Sequence, residues 1–89
     1  MTEKQREDLM ELWNRLTEEI HNSDKAIASA KIEGERRLYE QKLRDTIAER
    51  TGVEAAILTL GWIVIRDENE FATDIETMLG PRGRGAGRP

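Results

Sequence analysis

Residues 53–65 read Val-Glu-Ala-Ala-Ile-Leu-Thr-Leu-Gly-Trp-Ile-Val-Ile. The block is apolar on every face at either regular period, so whatever it forms needs cover on every side. The rest of the chain has little to cover it with. Charged residues make up 36% of the 89 residues and hydrophobic ones 37%, a balance tilted toward exposed surface. A chain of this length holds one domain and buries a modest share of its surface. With one Phe and one Tyr, the two tryptophans, Trp13 and Trp62, are the natural packing anchors.

Whether the block is helix or strand is a balance of local signals. The β-branched run Ile63-Val64-Ile65 and Gly61 favour a strand. Ala55, Ala56, Leu58 and Leu60 favour a helix, and Thr51 with Glu54 makes a capping box at its start. Period alone does not decide so short a run. No second strand stands out elsewhere, and a lone strand has to pair across a dimer axis. The block is therefore expected to be a buried helix. The alternative is an α+β fold in which residues 57–66 form a strand paired across a dimer.

Ahead of it runs an amphipathic stripe. Leu9, Trp13, Leu16 and Ile20 recur at helical spacing, behind a capping box of Thr2 and Gln5. The register continues through Ser23, Ile27, Ala30 and Gly34. Residues 21–24 favour a turn, so two helices meet there or one helix continues to about residue 50. The absence of Gly or Pro in that stretch favours continuity, giving a rod roughly 70 Å long. Beyond Gly34 the stripe slips to Leu38 or Tyr39, Leu43 and Ile47, in the manner of a coiled-coil stutter. Glu33–Arg37 and Glu40–Arg44 are spaced as i,i+4 pairs on a solvated face.

Gly52 is placed to close this helix. Asp67 with Glu70 signals a last helix over residues 68–79, carrying Phe71, Ile75 and Met78 or Leu79 on one side, and Gly80-Pro81 stops it. The expected fold is all-α. A long N-terminal helix or helical hairpin packs with a short buried helix and an acidic C-terminal one, in a single domain over residues 1–79. Residues 80–89 form a flexible Arg/Gly tail. One stripe covers about a third of a helix circumference, so the leftover apolar surface points to a homodimer or higher assembly. The expected contact residues are Leu9, Trp13, Leu16, Ile20 and Ile27 from the stripe, with Ile57, Leu60, Trp62 and Val64 from the block.

Three constellations bear on chemistry. Glu18-Glu19-Ile20-His21 sets a carboxylate and an imidazole one turn apart, as carboxylate-bridged metal bundles require. Yet His21 is the single histidine, and Ile20 rather than Glu18 or His21 lies on the apolar stripe, so the pair faces the flank. Thr46-Ile47-Ala48-Glu49-Arg50-Thr51-Gly52-Val53 resembles the start of a helix-turn-helix of bacterial repressors. That resemblance implies a corner over residues 46–58. However, the second helix offers Glu54, Ala55, Ile57, Leu58 and Leu60 where base edges call for polar or basic groups. Arg82, Arg84 and Arg88 are possible anion contacts, weak and salt-dependent.

There is no cysteine, phosphate loop, nucleophile elbow or zinc motif. Arg36, Arg37 and Arg44, which a small helical mutase would turn inward, sit beside acids. Net charge is −4 with the basic residues of 80–89 included, so the body is acidic and poorly suited to nucleic acid. The N-terminus is too charged for a signal peptide, and the apolar block is shorter than the about 20 residues a bilayer needs. These readings give a cytoplasmic non-enzyme without cofactor, metal, membrane or small-molecule substrate. Its partners are itself and another protein, and it acts by assembly or surface occlusion. Regulators, inhibitors and adaptors of phages and mobile elements have this size and simplicity. The second reading is a nucleic-acid-associated regulator working through the 46–58 corner or the arginine tail.

Overall fold

The computed structural model describes residues 3–77. Two long helices, α1 (Glu3–Ser29) and α2 (Glu33–Thr59), form an antiparallel hairpin. Two short strands follow, β1 (Trp62–Arg66) and β2 (Ala72–Thr77), paired antiparallel as the only sheet among the described residues. The chain is mostly helical as expected, but it is not all-α.

The α1 stripe does what its spacing implies. Trp13, Leu16 and Ile20 are buried, Leu9 and Ile27 are half-buried, and the small polar Thr17 and Ser23 fill the seam between them. The matching seam on α2 is Thr46, Arg50, Val53 and Ile57, again at spacings of four, three and four. Repeats of this kind keep one face of each helix turned toward its neighbour. Thr46 spends its hydroxyl on the Lys42 carbonyl one turn back, at 2.8 Å, which lets a polar side chain sit in the seam.

The continuous rod is corrected. The chain reverses at residues 30–32, not at 21–24, and Ile32 enters α2 in an extended conformation (φ −115°, ψ 133°). What reads as a stutter beyond Gly34 is therefore a new helix with its own phase. Ser23, taken as turn-prone, is buried in the seam at 4% exposure. Gly52 does not end α2, which runs on to Thr59.

The block 53–65 is split. Its first half completes α2. Gly61, at φ 89°, then turns the chain, a conformation glycine takes without steric penalty. Its second half is β1. The helix expected over 68–79 is also corrected, because Ala72–Thr77 is the strand that β1 needed, and the pairing is made within the chain. Asp67 behaves as a cap but closes a loop rather than starting a helix. Its Oδ1 accepts from the Asn69 and Phe71 amides at 2.8 and 3.0 Å. Glu70 completes that loop at φ 72°.

The small sheet packs along the half of the hairpin that holds its two chain ends, with β1 against α2 and β2 against α1, in contacts that run from Arg6 past Asn14 to His21. Trp13, Ile57, Trp62, Ala72 and Ile75 form the core, with Leu9, Met10, Val53 and Val64 packed around it. Asn14 fastens β2 to α1 by donating to the Ala72 carbonyl at 3.2 Å and accepting from the Ala72 amide at 2.5 Å.

Candidate interaction surface

The core spends most of the side chains expected at an interface. Trp13, Leu16, Ile20, Ile57 and Trp62 are buried inside the single chain. Leu9, Ile27 and Val64 are half-buried. Leu60 stands exposed, beside Leu9 in a shallow hollow that Gln5 and Asp8 complete. Arg82, Arg84 and Arg88 lie outside the described residues.

The remaining apolar surface gathers around the split in the block. Leu58 is 52% exposed and Ile63 41%. They border an open hollow of about 390 Å³, walled by Thr51, Glu54, Ala55 and Leu58 of α2 and by Trp62, Ile63 and Val64 of β1. These walls come from α2 and β1 alone, with no residue of β2, and they include side chains of both faces of β1, Trp62 and Val64 on one and Ile63 on the other, as at the side of β1 away from β2. Among the described residues no strand pairs with β1 on that side. Alternate residues of an edge strand point their N–H and C=O groups outward, unpaired by the neighbouring strand. The surface thus combines an apolar groove with a row of backbone hydrogen-bonding groups. Ile47, 41% exposed, lies one turn before Thr51 and extends the apolar stripe along α2. Sequence reasoning missed Leu58 and Ile63 as the exposed pair. The signal was the Gly61 break, after which the period changes from helical to alternating.

A charged network ties this end together. The Trp13 indole nitrogen donates to Glu54 Oε1 at 3.0 Å, and Arg66 donates to the same oxygen at 2.5 Å. The guanidinium carbons of Arg50 and Arg66 lie over the Trp13 ring, 4.8 and 5.2 Å from its centroid. Arg50 also donates to Thr17 Oγ1 at 2.9 Å and approaches Glu70 Oε1 at 3.6 Å. Arg6 reaches across from α1 to pair with Asp74 of β2 and lies over the Trp62 ring at 5.9 Å. Cations over an indole are stabilising, more so where water is partly excluded. The arrangement holds β1 and the groove wall in place from beneath.

Among the other sequence candidates, His21 meets Phe71 edge-on, with ring centroids 5.3 Å apart at 82°. Among the described residues no group of His, Cys, Asp and Glu is placed to hold a metal ion. Residues 46–58 lie within uninterrupted α2, so the helix-turn-helix-like corner is not formed. No helix among the described residues is long and apolar enough to cross a membrane. Comparison with protein-family models, curated proteins and solved structures finds no match to this chain.

Proposed function

We propose that the protein is a protein–protein interaction module, acting by assembly or by covering a partner's surface, with the α2–β1 groove as its contact face. The observation that carries the reading is the coincidence of exposed Leu58 and Ile63 with an edge of β1 that no strand among the described residues pairs. Exposed apolar surface beside an open strand edge is costly to leave in water and prone to pairing. Extended segments bind such edges through main-chain hydrogen bonds, and adjacent pockets take alternate side chains. The hydrogen bonds and ion pairs that hold Glu54, Arg66 and Trp13 together leave less of the groove to be ordered on binding.

A photo-reactive phenylalanine analogue at Leu58 tests this in cells. The control site is Glu18, exposed on α1. The expected result is a discrete adduct at Leu58, absent at Glu18 and abolished by Ile63→Lys. No adduct at Leu58, or equal adducts at both sites, contradicts the reading.

A further inference from the structure

The two edges of the sheet differ in a way that selects the occupant. The β2 edge is protected against its own kind. If two copies paired antiparallel through β2 about Ile75, Asp74 of one would face Glu76 of the other, and like charges directly opposite destabilise a sheet. Asp74 is moreover held by Arg6. The β1 edge is charged only at its last residue, Arg66, where the register with β2 also shifts. Charged, twisted or covered edges are the usual safeguard against pairing, and Trp62-Ile63-Val64-Ile65 presents four uncharged residues in a row.

The strand is also its own complement. With Val64 on a two-fold axis, Ile63 of one copy faces Ile65 of the other, and Trp62 faces Arg66. No like charges meet in this register. Arg66 of each copy keeps its own Glu54 and Trp13, and Trp62 its own Arg6, so the register asks neither side chain to leave its place. Ile63 and Ile65 share the face of the sheet turned from the helices, so the pairing gathers four isoleucines there. An isologous interface of this kind needs only one self-complementary patch.

We infer that the occupant of the β1 edge is a second copy of this chain, joined strand to strand about Val64 into a four-stranded sheet β2–β1–β1–β2 with the α2 groove of each copy closed along the seam. This rests on the reading of the α2–β1 face as the contact surface and names its partner.

The test uses the whole chain, which contains no cysteine of its own. Sedimentation is run up to about 0.1 mM, where even a micromolar complex is nearly saturated. The expected mass is twice 10.2 kDa for the unaltered chain and 10.2 kDa for Ile63→Lys, with both retaining helical circular dichroism. Register is read by oxidising chains carrying Ile63→Cys, chains carrying Ile65→Cys, and their equal mixture. Directly opposite residues lie about 4.5–5.5 Å apart at Cβ, against roughly 7–8 Å for diagonal ones, and a disulfide needs about 3.5–4.5 Å. The mixture is expected to cross-link fastest, and only between the two different chains. A 10.2 kDa mass for the unaltered chain, a dimer that survives Ile63→Lys, or like-with-like cross-linking as fast as in the mixture overturns the proposal. A monomer that still forms an Ile63-dependent adduct with another protein at Leu58 overturns the dimer alone and leaves the contact face standing.

Discussion

The indole of Trp13 donates to the carboxylate of Glu54 at 3.0 Å, joining the centre of α1 to the last turns of α2. Trp13 is fully buried, so its N–H has no access to bulk water in the fold. Losing that partner leaves a buried donor unpaired, which costs about 1–3 kcal/mol. Glu54→Ala is therefore expected to lower unfolding stability by that amount, and Trp13→Ala, which opens a cavity, by about 3–5 kcal/mol. Urea melts of the two single variants and the double variant measure both. The double should lose clearly less than the summed singles, because residues in direct contact couple.

The two glycines at the ends of the last turns of α2 answer opposite requirements. Gly52 lies inside the helix, and a methyl group there meets nothing within 4 Å. Gly52→Ala should stabilise by about 0.5–1 kcal/mol through helix propensity. Gly61 holds φ at 89° to turn helix into strand. Gly61→Ala should destabilise by about 1–2 kcal/mol. Thermal melts of the pair should move in opposite directions.

Asn14 is the clamp of β2. Its side chain makes both hydrogen bonds to the Ala72 backbone, which lies near the start of that strand. Asn14→Ala is expected to cost about 1–3 kcal/mol. It should also raise amide exchange in β2 more than in the Leu16–Ile20 stretch of α1. Equal acceleration everywhere would show that the clamp acts on global stability alone.

How far the chain could be read in advance follows from where its signals were long. The α1 stripe recurs over five turns, and Trp13, Leu16 and Ile20 are buried as their spacing implies. The β2 strand is hard to see because Ala-Thr-Asp-Ile-Glu-Thr holds one large apolar residue, Ile75, among the small Ala72, the acidic Asp74 and Glu76, and two threonines. The Asp67–Glu70 spacing that marks a helix start serves here to close a loop, since the same carboxylate-to-amide bonds suit both. With its partner strand unseen, Trp62–Arg66 had no sheet to join, and helix was the remaining choice. The reversal at residues 30–32 carries neither Gly nor Pro, and the register Ile20, Ser23, Ile27, Ala30, Gly34 runs straight through it. Of the residues that wall the α2–β1 hollow, hydrophobicity alone singles out Trp62 and Val64. Exposure at Leu58 and Ile63 depends on the chain turning at Gly61.

Surface charge on the groove should separate association from folding. Ile63 is 41% exposed, so Ile63→Lys removes little buried area within the chain and should change unfolding stability by no more than about 0.5 kcal/mol, measured by urea melts below the concentration of association. A loss of several kcal/mol would place Ile63 in the core of the single chain instead.

Amide exchange at Ile63, Val64 and Ile65, followed against protein concentration, tests the central claim most directly. The amides of β1 that point away from β2 should exchange fast in dilute protein. They should slow by at least about tenfold as the chain is concentrated, while Ile63→Lys abolishes the effect. Exchange at these positions that is independent of concentration, and unchanged by Ile63→Lys, would contradict the account of the β1 edge as a seam between two copies.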